Sequence, residues 1–202
     1  LNDYFASQSK DVLRENIPLC STDREIPVLR ELTITEEEVF NQLKVLNVNK
    51  ACGPDGIPNK ILKMIAIFLK EPLTKLFNKS LAEGIYPSSW KHANIISVFK
   101  NKGSTSDVKS YRPISLLPSM SKVFERVVYN RIYEHLIDHN LITDRQSGYR
   151  HDHGTHTQLL YLIHSLYSSL DQNKDLSIVY LDISRYFDKI WHILIRQLKI
   201  TH

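Results

Sequence analysis

Ser177-Ile178-Val179-Tyr180-Leu181-Asp182-Ile183-Ser184-Arg185-Tyr186-Phe187-Asp188-Lys189-Ile190-Trp191-His192 is the stretch that decides how the rest of the chain is read. Between Ser177 and Asp182 stands a run of apolar, β-branched and aromatic residues, the composition of a short buried strand. After the acid the spacing changes. Phe187, Ile190, Trp191, Leu194, Ile195 and Leu198 recur as one helical face. The pattern predicts a strand over residues 177–182 at the centre of a small sheet, with a helix starting between Ser184 and Asp188. A strand is stiff, so an Asp at its C-terminal end is held at the rim of the sheet and can serve as a metal ligand there. The competing reading makes Asp182 the cap of the helix that follows.

Outward from this stretch the chain reads as helices with a few short strands. Residues 1–34 form a lead-in, with a short helical pattern and then a polar segment holding Pro18, Cys20 and Pro27. Thr35 and Glu38 make a capping box, and Glu36 and Glu37 sit where a helix N-terminus favours acids. Val39, Leu43 and Leu46 supply that helix's apolar stripe. A Gly- and Pro-rich turn over residues 49–58 leads into a helical face of Ile61, Leu62, Ile65, Phe68 and Leu69. Pro72 should bend or restart this helix, and Leu73, Leu76, Phe77 and Leu81 carry it to Gly84. Residues 94–99 are a strand candidate, a polar loop runs through Lys109, and residues 111–117 are extended. Ser121 opens a helix with Phe124, Val127, Val128, Ile132 and Leu136 on one side. Beyond a loop at 138–154, a last helix before the quoted stretch carries Leu159, Leu160, Leu162, Ile163, Leu166 and Leu170. Helices outnumber strands without strict alternation, so the fold class is α+β rather than a doubly wound sheet.

At 202 residues, with 42% hydrophobic and 24% charged residues, the chain can bury one substantial core. A net charge of +4 permits a nucleic-acid partner without requiring one. Lys63 and Lys70 break up the longest apolar candidate, so no run approaches a membrane span, and no membrane partner is expected. The first residues lack the basic and apolar regions of a secretory signal. Cys20 and Cys52 stand far apart in unrelated contexts and are read as reduced thiols of an intracellular protein, nuclear or cytoplasmic. His151, His153 and His156 form an H-x-H-x-x-H cluster with no Cys nearby, better read as solvated loop histidines than as a zinc site.

Three segments precede the quoted one: Gly53-Pro54-Asp55-Gly56-Ile57-Pro58, Tyr111-Arg112-Pro113-Ile114-Ser115-Leu116 and Gln146-Ser147-Gly148-Tyr149-Arg150. With residues 181–192 they stand in the order used by LINE-type (non-LTR) retrotransposon reverse transcriptases, of the jockey kind. The chain resembles that family from about residue 35 to 202. The resemblance implies the fingers over residues 35–170 and the first palm strand with its helix over 171–202 of a right-hand polymerase, preceded by a linker at 1–34. It implies an RNA-directed DNA polymerase that adds deoxynucleotides, from their triphosphates, to a DNA primer on an RNA template, with Mg2+. Asp182 and the backbone carbonyl of Ile183 would then hold metal. Phe187 would be the ring that crowds a ribose 2′-hydroxyl, though it also opens the apolar face of the last helix. Asp188 points away from the strand-end site and reads as a helix N-terminal charge.

Lys100, Lys102 and Arg112 flank the loop at 100–110, which in this family folds over the incoming triphosphate. Arg offers phosphate a planar two-pronged donor and Lys a point charge, so Arg112 is the leading candidate. Arg150 would help position template or nucleotide, while Gln146 and Gly148 shape the turn. The sequence departs from the family at Tyr186, where a small residue is usual, and mildly at Tyr149, where Phe is common. The Gly/Pro-Gln-Gly segment and the Tyr-x-Asp-Asp box do not occur in these residues. One carboxylate cannot assemble a two-metal site, so the expectation is a truncated, inactive polymerase fragment. A non-enzymatic nucleic-acid-binding remnant and a group II intron maturase-like protein are the alternatives.

Overall fold

Thr35 starts the first helix by a reciprocal exchange. Its hydroxyl accepts from the Glu38 N–H at 3.3 Å, and its own N–H donates to Glu38 Oε2 at 2.8 Å. The computed structural model describes residue 29 and residues 32–182, and within these the chain is a mixture of helix and strand. It divides into two compact units, the first running to His135 and the second starting at Leu136.

In the first unit, α1 (Glu36–Lys44) buries Val39 and Leu43. Helix α2 (Asn59–Met64) buries Leu62, and α3 (Ala66–Glu83) buries Ala66, Leu73 and Phe77. The break between them falls at Ile65 (φ −99°, ψ 16°) rather than at Pro72, which lies inside α3. A proline there costs one ladder hydrogen bond, and the buried stripe on both sides keeps the helix continuous. Gly84 ends α3 in the left-handed region (φ 64°), and the Ile85 N–H donates back to the Ser80 carbonyl at 3.0 Å. Ile34, at the end of the lead-in, is buried. Its N–H and C=O are both taken by the Asn78 side-chain amide, each at 2.8 Å.

A short 3₁₀ turn (Ser88–Lys91) brings Trp90 into the core. Strands β1 (Asn94–Phe99) and β2 (Tyr111–Leu116) then pair antiparallel, with Val98 opposite Arg112 and Phe99 opposite Tyr111. Helix α4 (Ser119–Asp138) starts two residues ahead of the Ser121 read from the sequence and buries Val123, Phe124 and Val127. Phe77, Tyr86, Trp90 and Phe124 make an aromatic cluster: Phe77 and Phe124 lie 4.8 Å apart, and Trp90 stands edge-on to Phe77 at 5.8 Å. Such pairs add to what their buried area supplies.

The second unit holds a loop and α5 (Thr155–Asp171), none of whose residues is buried. Residues 174–182 follow in neither helix nor strand. This corrects the expected strand at 177–182. A strand needs a neighbour for its N–H and C=O groups, and among the described residues the only ladder is β1 with β2. Val179 and Leu181, meant for a sheet interior, are 77% and 92% exposed. The helix expected after Ser184 lies outside the described residues. No described helix is long and apolar enough to cross a membrane.

Candidate functional site

The β1–β2 hairpin carries the basic residues singled out from the sequence. Side chains alternate along a strand, so Arg112 shares a face with Val98, Ile96 and Ile114. Arg112 is exposed, and so are those three apolar neighbours. Lys100 closes the mouth of the connecting loop: its N–H donates to the Ser110 carbonyl at 2.8 Å and its ammonium to the Lys109 carbonyl at 2.7 Å. Lys102 sits exposed in the loop itself. The loop is ordered by its own bonds, Tyr111 Oη donating to the Thr105 carbonyl at 2.9 Å and Lys109 N–H to Asp107 Oδ1 at 2.9 Å. Arg112 and Lys102 thus both present their charge to solvent, while the Lys100 ammonium is engaged by the Lys109 carbonyl.

The hairpin is tied to the helices by the Gly-Pro-Asp-Gly turn. A Cβ on Gly53 would stand 2.5 Å from both the Leu117 carbonyl carbon and the Pro118 nitrogen, so only glycine lets these two backbones approach. Asn59, buried at the start of α2, donates to the Asn47 carbonyl at 2.8 Å and accepts from the Ser119 hydroxyl. Two of the sequence segments are thus joined between the end of β2 and the start of α4. The sequence showed Gly53 as a turn residue. Asn59 and Ser119 carried no signal, because their partners are far along the chain.

Arg150 belongs to the second unit, where its guanidinium is turned onto its own loop. It donates to the Thr143 carbonyl at 3.1 Å and to Asp144 Oδ1 at 3.3 Å. Ser147 Oγ donates to Gln158 Oε1 at 2.8 Å and fastens the loop to α5. Tyr149 holds a left-handed backbone (φ 59°), a costly conformation for a bulky residue. His151, His153 and His156 are exposed, with His153 Nδ1 at 2.9 Å from the His151 carbonyl oxygen. Asp182 is exposed at the end of the 174–182 segment. Ile183 and Phe187, with Tyr186 and Asp188, lie outside the described residues.

Among the described residues, no three His, Cys, Asp or Glu side chains converge as a metal site. Asp182 is a hard oxygen donor of the kind magnesium takes, yet a single carboxylate does not make a magnesium site.

Comparison with known proteins defines the class. Residues 99–200 match the model of the reverse transcriptase (RNA-dependent DNA polymerase) family, and the chain belongs to that family. Among its relatives, it is 36% identical over 160 residues to the RNA-directed DNA polymerase from mobile element jockey of Drosophila melanogaster, covering 79% of this chain and 17% of that protein. It is 31% identical over 159 residues to the probable RNA-directed DNA polymerase from transposon BS of the same species, covering 79% of this chain and 18% of the relative. The probable RNA-directed DNA polymerase from transposon X-element, also of that fly, is 36% identical over 152 residues, covering 75% and 17%. The chain thus spans less than a fifth of the length of these relatives.

Proposed function

We propose that the chain supplies the fingers (residues 35–170) and the opening of the palm (171–202) of a right-hand RNA-directed DNA polymerase of a non-LTR element, with residues 1–34 as linker. The reaction served is addition of deoxynucleotides to a primer 3′ end on an RNA template, inside the cell. One observation supports it above the others: the family match begins at Phe99 and runs to residue 200, taking in strand β2, which presents Arg112, and the segment that ends on Asp182. Arg112 would grip the triphosphate with its planar fork, and Lys102 would add a point charge. Lys100 would act chiefly by holding the loop shut. Arg150 would shape the loop at 143–150 and so present template or nucleotide. Phe187 would exclude ribonucleotides. Magnesium supplies charge neutralisation and alignment of the attacking hydroxyl with the triphosphate. Asp182 and the Ile183 carbonyl would be part of its ligand set, and the described residues do not complete it.

The test joins this chain to the downstream palm segment of a jockey-type relative and measures magnesium-dependent primer extension. The 202 residues alone are expected to extend nothing, the fusion to extend, and Asp182→Asn in the fusion to lose activity by at least about a hundredfold, since Asn keeps the shape but not the charge. A helix cap would tolerate Asn with little change. Should Asp182→Asn extend as well as its parent, the assignment of the palm acid fails. A fusion that binds nucleic acid but never extends, even with Tyr186→Ala, would favour a non-enzymatic binding remnant.

A further inference from the structure

The Lys100 N–H donates to the Ser110 carbonyl at 2.8 Å, and that bond sets which backbone groups of β1 turn inward. Opposite residues of an antiparallel pair alternate between exchanging hydrogen bonds and exchanging none. Asn94, Ile96 and Val98 therefore spend theirs on β2, and Ile95, Ser97 and Phe99 direct N–H and C=O to the outer border. Among the described residues no other strand pairs with that border. It also carries none of the usual defences of a sheet edge. Asn94-Ile95-Ile96-Ser97-Val98-Phe99 holds no charge and no proline, and its six pairs with β2 run without a bulge. Ile95, Ile96 and Val98 are each nearly half exposed. Two strands by themselves make a marginal sheet, and three or more are the usual minimum.

We propose that β1 is a self-association edge: two copies of this chain pair through it, antiparallel, about a two-fold axis at Ser97, into a four-stranded sheet in the order β2–β1–β1–β2. The reading comes from the hairpin alone and does not depend on the polymerase assignment. The outward groups at 95, 97 and 99 meet their own kind when 95 stands opposite 99, 97 opposite 97 and 99 opposite 95. Each such pair exchanges two bonds, so every outward N–H and C=O of the strand is used. The side chains then agree on both faces. On one face Ser97 meets Ser97, and Ile95 meets the second copy's Phe99, whose ring already lies 5.5 Å from that of Tyr111. On the other, Ile96 meets Val98 and Asn94 meets Lys100. No like charges fall opposite each other from Asn94 to Lys100, and apolar cross-strand pairs of this kind stabilise a sheet. A slip of two residues would set Lys100 against Ile96 or Phe99 against Ala93, so the self-complementary register is the favoured one. The contact is small, well under about 1,200 Å², and a dissociation constant on the order of 100 μM follows for an interface of that class.

Sedimentation equilibrium of the complete 202-residue chain, from a few micromolar to several hundred, measures the association. A monomer–dimer equilibrium is expected. Ser97→Pro should weaken it at least about tenfold, because both N–H donors on the axis disappear together. The change removes no bond between β1 and β2, since the Ser97 N–H points outward. Ser97→Lys and Ser97→Glu, each alone, should weaken dimerisation several-fold by setting like charges opposite each other. An equimolar mixture of the two should dimerise at least as tightly as the parent, because the opposed charges are then unlike. If circular dichroism shows that the proline variant has lost its fold, the charge pair decides by itself. A chain that stays monomeric at the highest concentration overturns the proposal and gives the border to some other segment or to solvent. A folded Ser97→Pro chain that associates like the parent, or a Lys–Glu mixture no tighter than its components, also overturns it, and shows that copies meet through another surface.

Discussion

Glu38 shows how one side chain joins a local rule to a distant contact. Its carboxylate completes the Thr35 cap and also meets Arg131, with Nε 2.6 Å from Oε1 and Nη2 donating to Oε2 at 3.0 Å. Burial alone would raise its pKa. The hydrogen bonds from Thr35 outweigh that, followed by the Arg131 guanidinium, and the net result is a carboxyl below its usual range. A carboxylate depressed in the folded state stabilises above its unfolded pKa, about 4.3, and that stability is lost as pH falls through the folded value. Glu38→Gln should therefore lower Tm by several degrees near pH 7, with the difference from the parent closing below about pH 4. A gap that stays constant with pH would show that the charge is not what matters. The cap was legible in the sequence, because Thr35 and Glu38 are three residues apart. Arg131 was not, because nothing local marks a partner 93 residues away.

At the scale of elements, the sequence is most legible where periodicity is strong and partners are near. Strand β1 occupies residues 94–99 as its apolar run implies, and β2 and α1 fall where the extended and capped segments put them. Pro72 does not restart the helix: propensity weighs the loss of one hydrogen bond, whereas Leu73 and Phe77 bury enough surface to carry α3 through it to Gly84. Residues 177–182 misled for another reason: composition says what a segment would do beside a neighbour, and the ladder itself is a property of two segments. The junction between the Gly-Pro-Asp-Gly turn and the end of β2 gives a direct check. Gly53→Ala would drive a methyl into the Leu117–Pro118 backbone. It should destabilise by roughly 2 kcal/mol or more, read as a denaturation midpoint shifted without a change in slope. An unchanged midpoint would mean that the two backbones part easily and that the hairpin is not fixed by this contact.

For the whole molecule, the distribution of burial is uneven, and that bears on function. The first unit has an apolar core with an aromatic cluster, while α5 in the second has no buried residue and Ile178, Val179, Tyr180 and Leu181 stand in solvent. The candidate site was legible as residue types in order along the chain. The division between units was not, for nothing in the sequence says that Arg112 and Asp182 belong to different ones. In the 202-residue chain, amides 177–182 should exchange with solvent nearly as fast as in an unfolded peptide. Fused to a palm segment they should slow by roughly a hundredfold, about 2.8 kcal/mol, if a strand forms there. Equal exchange rates in both proteins would remove the strand from the palm. The hairpin register carries a further consequence. The Lys100–Ser110 bond fixes the alternation, so Val98 and Arg112 face each other through hydrogen bonds, and at Ser97–Pro113 the backbone groups point outward. Pro113 has no N–H to offer there, so the outer border of β2, which pairs with no other strand among the described residues, is missing a donor at its middle, whereas β1 keeps its own. Any strand that extends this small sheet, from the same polypeptide or a neighbour, is steered to the β1 side. The hairpin has a closed flank and an open one, and a single imino acid decides which is which.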